Sequence, residues 1–330
     1  MLGSLTIGRL LWDYLQGTKG LRPGLSETVL ERGSDGYPWI LYESKKRLRG
    51  SLVLIHGVTA QASEDPHLVH LARCLAALGY RCLTPPLSRL AQFEHSEQDV
   101  DVVTLALSRA RELAQAPVGV LAFSYGASYA LSAAARPESR ECCRAIVAFG
   151  AYYLLAEALE HQRQLLLQNP DPAGDDADLL YLRYTLLVCQ RSDINLSGQA
   201  WEAIDQALAD YTSLTTLALK QRPLLQYARD FDYVELMERY QRRALSAELS
   251  PAGRLHQIAC PVALLHDPKD RFVPSGHVDR IRSELDSRSG YAPTRTLTTP
   301  LLSHVQVDPM HNLRDAWRLI RLLEPVFGFR

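Results

Sequence analysis

One serine stands out among the side chains able to attack a carbonyl. Ser124 lies in VGVLAFSYGASYAL (118–131), where an apolar run breaks and resumes as a small-residue helix pattern. A serine at such a junction can be a turn residue, a helix cap or a nucleophile. A hydroxyl attacks poorly until a base removes its proton, and the base works best when a third group orients it. A sharp strand-to-helix turn holds the oxygen clear of its neighbours, but it crowds the backbone and needs small residues two positions either side. Those positions hold Ala122 and Gly126, so the stretch reads AFSYG where G-x-S-x-G is the common form.

Partners for such a nucleophile occur downstream. In LLHDPKDRFVP an apolar run enters a loop holding Asp267 and Asp270, and LLSHVQVDP carries His304 ahead of a final helical pattern. His311 is a rival base, but it falls inside that pattern. The chain order is therefore serine, acid, histidine, each beyond the end of a strand-like segment, the edge where sites assemble in open α/β sheets. A tetrahedral intermediate also needs two backbone N–H donors. Tyr125 follows the serine, and the turn HGVTA offers Val58, with Thr59 as the weaker choice. His56 in that turn reads as a structural histidine, and His67, His70 and His277 read as solvated or capping residues. None forms an H-x-x-x-H type of set with a carboxylate, so neither a metal nor another cofactor is expected.

The elements that would position these groups follow from hydrophobic periodicity. SETVLERG and YPWILYES alternate as strands around Gly33-Ser34-Asp35-Gly36, a hairpin signal. SLVLIHG is a continuous apolar run, as in a strand buried on both faces. Leu68, Leu71, Leu75 and Leu78 repeat at helical spacing, and YRCLTPPL is the next strand. Ser96 can cap a helix with Val100, Val103, Leu107 and Ala110 on one face. The strand before Ser124, the helix after it and the strand CRAIVAFG continue an alternation that predicts a mostly parallel twisted sheet flanked by helices. From Tyr152 to His256 the pattern is Leu-rich and helical, broken at Pro170, Pro172, Gly174, Ser197-Gly198 and Pro251 to Gly253. Strands return at CPVALLHDP and TRTLTT around a helix from about Ser275. A last helix can be capped by Asp308, with Pro309 in its first turn and Met310, Leu313, Trp317 and Ile320 as its apolar stripe. An inserted segment explains this better than a separate helical domain, which would leave the last two strands without a sheet.

LIHG, AFSYGAS, LLHDPKDRFVP and LLSHV, in this order and context, resemble the α/β-hydrolase fold superfamily, specifically its capped serine hydrolases (esterases, lipases and thioesterases). The resemblance implies an α/β-hydrolase core over 25–151 and 257–330 with a helical cap inserted at 152–256, and the residues ahead of it, 1–24, read as an N-terminal helical arm. It implies Ser124 as nucleophile, Asp270 as acid and His304 as base, with Val58 and Tyr125 as oxyanion donors. The family's acid loop commonly reads H-G-x-x-D-x-x-V-P, and here Asp267 replaces the glycine. The implied reaction is cleavage of a carboxylic ester or thioester through an acyl-enzyme. Carbon–carbon bond hydrolysis by the same triad, and a non-catalytic binding or scaffolding role, are the competing classes.

Composition bounds the partners. The 330 residues are 47% hydrophobic and 22% charged, as in an ordinary soluble protein. A formal charge of −1 gives no electrostatic case for nucleic acid. The six cysteines form no C-x-x-C pair and read as buried reduced thiols. Without a leader or a membrane-length apolar run, a cytoplasmic protein is expected. Leu2, Leu5, Leu10, Leu11, Tyr14 and Leu15 can line one face of an N-terminal helix, packing on the body of the protein or, as the sharper alternative, touching a membrane or partner. Leu154, Leu155, Leu165, Leu166, Leu167, Leu179, Leu180, Leu186 and Leu187 make the insert apolar. They pack its helices or line an acyl pocket, so the expected partner is a small apolar ester or acyl compound. Phe123, Tyr152 and Tyr153 are the candidate pocket residues. Oligomeric state is not legible.

Overall fold

The computed structural model describes residues 9–10, 14, 24–33, 36–170, 177–189, 196–209, 232–233, 235, 238, 246–290, 294–299, 302–303, 306–307 and 313–327. The opening hairpin forms as its alternation predicts: β1 (Leu25–Arg32) pairs antiparallel with β2 (Pro38–Ser44). Ser34 and Asp35 of its turn lie outside the described residues, while the Gly36 amide donates to the Gly33 carbonyl. Then follow β3 (Gly50–Ile55), β4 (Tyr80–Thr84), β5 (Val118–Phe123), β6 (Cys143–Phe149), β7 (Val262–His266) and β8 (Arg295–Thr298). The sheet order is β1-β2-β4-β3-β5-β6-β7-β8. β2 meets β4 antiparallel, and every later neighbouring pair is parallel. The chain leaves β3 for β4 on one side and then crosses to β5 on the other. That reversal opens a crevice at the carboxyl ends of β3 and β5.

The helices start where their caps predict. Asp65 accepts from the His67 and Leu68 amides at the head of α1 (Pro66–Ala77), with Pro66 in the first turn. Ser96 accepts from the Gln98 amide to open α2 (Glu97–Ala114), whose Val100, Val103, Leu107 and Ala110 are all buried. α3 (Tyr125–Ala134) is buried along its whole length, so its run of small residues lets it sit close to the strands. Between β6 and β7 come α4 (Leu155–Gln168), α5 (Ala177–Cys189) and α6 (Gly198–Ala209). α7 (Gly276–Asp286) links β7 to β8, and α8 (Leu313–Phe327) follows later in the chain.

Alternate residues of the strands feed two cores. Val53, Ile55, Val120, Ala122 and Leu264 pack against α2, α3, α7 and the helices between β6 and β7. Leu52, Leu54, Leu121, Val147 and Leu265 pack against α1 and α8. β3 is thus buried on both faces, as its unbroken apolar run predicts. A Cβ on Gly119 would lie 2.4 Å from the Val326 carbonyl oxygen, so α8 rests backbone to backbone on β5. The Arg144 guanidinium and the Tyr80 hydroxyl donate to the carbonyls of Val326 and Phe327 and fasten that end.

The expected stripe of α8 needs correction. Asp308, Pro309 and Met310 lie outside the described residues, and Trp317 is 48% exposed. Leu319, Leu322, Leu323, Val326 and Phe327 are the residues that α8 buries. The helix is rotated so that these five face the sheet, and the Arg321 guanidinium lies over the exposed Trp317 ring.

Of the N-terminal arm, Leu10 is buried in the second core, and Tyr14 stacks on His70 and accepts a hydrogen bond from it through its carbonyl. Leu2, Leu5, Leu11 and Leu15 lie outside the described residues. Cys74, Cys82, Cys142, Cys143 and Cys260 are buried thiols, none of them in a disulfide. Among the described residues no helix is long and apolar enough to cross a membrane.

Candidate active site

Ser124 follows β5 directly, with φ 51° and ψ −129°. An L-residue pays about 1–3 kcal/mol for such a backbone, so the surroundings must enforce it. The Ser124 amide donates to the Phe149 carbonyl at 2.7 Å, and its carbonyl accepts from the Ala127 amide at 2.9 Å. A Cβ on Gly126 would sit 1.9 Å from the His56 carbonyl oxygen, and one on Gly57 would sit 2.9 Å from the Ser124 Cβ. The two turns therefore pack backbone against backbone, which explains the glycine two places after the serine. Two places before it, the Ala122 methyl is completely buried and fits. Ser124 occupies the N-cap position of α3, yet its hydroxyl makes no capping hydrogen bond.

The facing turn is held by His56. Its Nε2 accepts from the Leu87 amide at 2.9 Å, so the ring proton is on Nδ1, which donates to the Gly57 carbonyl at 2.7 Å. Burial pushes this imidazole down to about 4, and it is neutral at physiological pH. The structural reading of His56 therefore agrees with its surroundings. Val58 comes next, and Tyr125 opens α3, where a first-turn amide has no intrahelical acceptor. Thr59 is engaged elsewhere, its hydroxyl donating to Asp65 at 3.0 Å.

The loop after β7 separates its two aspartates by role. Asp270 Oδ1 accepts from the Phe272 and Val273 amides at 2.8 and 3.0 Å. Its Oδ2 lies beside the carboxyl end of β6, 3.5 Å from where a Gly150 Cβ would be. Asp267 Oδ1 accepts from the Lys269 amide, and its carbonyl accepts from the Asp270 amide at 3.0 Å, so it shapes the turn that presents Asp270. His304 and His311 lie outside the described residues. The short strands β9 (Leu302–Ser303) and β10 (Gln306–Val307) pair antiparallel on either side of positions 304 and 305.

Ser124, Val58, Tyr125, Asp267 and Asp270 all line one cavity of about 260 Å³. Phe123 lines it too, stacked on Phe149 with ring centroids 4.7 Å apart. The helical side is formed by Gln162, Tyr181, Leu182, Thr185, Val188 and Leu208, with Asp205 beside them. Tyr152 and Tyr153 do not line it. Tyr152 is fully buried, its hydroxyl donating to the Leu249 carbonyl and its ring edge-on to Tyr125. Tyr153 turns away, its hydroxyl donating to Glu284 and its ring under the Arg280 guanidinium. Both aromatics brace the join between sheet and helices instead. None of the nine leucines expected as packing or pocket residues lines the cavity, and Leu155, Leu166, Leu179, Leu180, Leu186 and Leu187 are buried. His277 corrects another expectation. It is buried rather than solvated, its Nδ1 accepting from the Tyr153 amide, and burial pushes it down to about 4.

Sequence reasoning missed Gln162. α4 buries Leu155, Ala158, Leu159, Gln162 and Leu166, one helical face with a single amide in it. A polar residue inside an apolar stripe was the available signal.

No family model matches the sequence, and no curated protein matches it. Among solved structures, an esterase of Pyrococcus furiosus superposes with a TM-score of 0.54 at 11% identity, over 92% of this chain and 92% of that one. A second crystal form of that esterase gives 0.52 at 11% identity, over 92% of this chain and 94% of that one. At such identity the likeness is one of fold. Joined to the strand order and the turn at Ser124, it shows that the chain has the α/β-hydrolase fold.

Proposed function

We propose that the protein is a serine hydrolase that cleaves a carboxylic ester or thioester through an acyl-enzyme, beneath a cap formed by 152–256. The observation that carries this reading is the backbone of Ser124, held at φ 51° and ψ −129° on the wall of a cavity with its hydroxyl uncommitted to capping. Maintaining that backbone costs stability, and a hydroxyl presented over the sheet edge gives it a chemical use.

In the proposed reaction His304 takes the Ser124 proton as Oγ bonds to the substrate carbonyl carbon. The carbonyl electron pair moves onto oxygen, and the amides of Val58 and Tyr125 bind the resulting oxyanion. Collapse breaks the bond to the alkoxide or thiolate, which leaves with the proton from His304. Water then gives a proton to the same imidazole and adds to the acyl carbon. A second collapse frees the acid and returns the proton to Ser124. Asp270, with Oδ1 already committed to two amides, offers Oδ2 to orient the imidazole and stabilise its cation.

A fluorophosphonate probe tests the reading. Wild-type protein is expected to label at neutral pH, and Ser124→Ala is expected not to. A folded wild-type protein that does not label overturns it.

A further inference from the structure

Two consecutive peptide units hold the Asp270 carboxylate, and one helix grips both of them from the other end. The units joining Arg271 to Phe272 and Phe272 to Val273 donate through their N–H groups to Asp270 Oδ1 at 2.8 and 3.0 Å. Their carbonyls are held by α4. The Arg271 carbonyl accepts from His161 Nε2 at 2.8 Å, and the Phe272 carbonyl accepts from Gln162 Nε2 at a longer 3.4 Å. A carbonyl only accepts, so these contacts place a proton on His161 Nε2 and fix which end of the Gln162 amide is nitrogen. A trans peptide is flat, with its N–H and C=O on opposite edges, so fixing the oxygen also fixes where the hydrogen points. Gln162 Nε2 donates in addition to the Tyr125 hydroxyl at 2.8 Å, at the tip of a ring that stacks on His95 and belongs to the residue after Ser124. One side chain, 2% exposed, therefore joins the acid loop to the nucleophile turn. The helix that carries it is fixed in turn: Leu155, Ala158, Leu159 and Leu166 are buried, and the Leu155 amide donates to Ser250 Oγ at 3.0 Å.

We propose that His161 and Gln162 are positioning residues for Asp270, so that α4 completes the reactive frame as well as walling the cavity. This rests on the serine-hydrolase reading, in which Asp270 orients His304. Neither side chain touches the reacting atoms. They act through the two peptide planes: with both carbonyls held, both N–H groups converge on Oδ1 and leave Oδ2 for the imidazole. Without the Gln162 nitrogen the second unit is free to turn, and the carboxylate moves with it. Polarisation works in the same direction, because a carbonyl that accepts a hydrogen bond makes the N–H of its own unit a stronger donor. The clamp also accounts for the single amide in the apolar stripe of α4. A leucine there would pack, but it could not hold the loop.

Gln162→Leu tests the proposal, read by steady-state kinetics on p-nitrophenyl butyrate and by urea unfolding. It is expected to lower kcat by about 100-fold, the effect of a misplacement of about 1 Å, with KM within about threefold of wild type. The acid limb of the kcat/KM profile is expected to move to lower pH, because an imidazole that loses its carboxylate holds its proton less tightly. Some stability is lost because the Tyr125 hydroxyl is left unpaired in the core, and adding Tyr125→Phe removes that group. The double variant is expected to regain stability while keeping the low kcat and the shifted limb. An unchanged kcat, a limb that does not move, or a double variant with restored kcat overturns the proposal. If neither variant folds, His161→Leu, at a half-buried position, carries the same readouts with a loss of about tenfold. Should the wild-type protein turn over no ester and resist the fluorophosphonate, the hydrolase reading fails separately, and hydrogen exchange still reads the clamp. Faster exchange of the Phe272 and Val273 amides in Gln162→Leu supports it, and unchanged exchange overturns it.

Discussion

On the sheet side of the cavity, groups are placed by backbone. Ser124 is wedged between the Phe149 carbonyl and the Gly57 turn, and Gly126 touches the His56 carbonyl with no room for a methyl. On the helical side, groups are placed by side chains: Gln162, Leu182 and Thr185 reach the cavity from helices that pack through leucines elsewhere. The sheet side is over-determined and tolerates little change. Gln162 apart, the helical side can exchange one wall residue for another while its leucines keep the helices in place. The proposed chemistry therefore belongs to the first region, and any selectivity would belong to the second.

Four perturbations would break or sharpen this contrast. Asp270→Asn is expected to lower hydrolysis by about 10⁴-fold, whereas Asp267→Asn, in the supporting turn, is expected to cost less than about tenfold. Steady-state rates on a common ester decide between them, and equal losses would dissolve the division of roles. Gly126→Val drives a side chain into the His56 carbonyl and is expected to cost more than about 4 kcal/mol, read by urea unfolding. Acid should weaken the sheet side through its buried histidine. His56 is held at about 4 when folded, against an ordinary value of 6.5. The unfolded chain takes up a proton that the folded state refuses, so this stability is complete above about pH 6.5 and declines as pH falls towards 4. The loss is about 3 kcal/mol for His56, and unfolding midpoints across that range measure it. Burial holds His277 at about 4 and His95 at about 3, which adds in the same direction. Leu186→Ala, among the fully buried leucines of α5, is expected to cost about 2–3 kcal/mol and leave the fluorophosphonate labelling rate unchanged. A large change in labelling would show that α5 also sets the reactive geometry.

The same contrast explains what was legible in the sequence. AFSYG, HGVTA and HDPKDRFVP are local patterns, and local backbone geometry is what the sheet side depends on. The strand runs were legible because β3 and β5 are buried on both faces. The helical wall was not, because side-chain direction depends on how α4 and α5 dock, which spacing alone does not supply. Tyr152 and Tyr153 follow β6 in sequence, but one turns into the core and the other towards α7. Trp317 misled for a related reason. Its stripe is helical, but α8 carries a second run of leucines rotated from it, and that run faces the sheet.

The docking of α8 on β5 also has a consequence in time. The strand that ends at Ser124 is covered on one side by the Val326 backbone, which is translated about two hundred residues after Gly119. At synthesis rates of about 5–20 residues per second, that interval lasts roughly 10–40 s. For that long the nascent chain holds a finished strand sequence without the surface that seals it. Reaching the final arrangement requires contacts far apart in sequence, which slow folding and leave apolar strands open to misassembly. The close approach at Gly119 means that the last turn of α8 closes the sheet beneath Ser124.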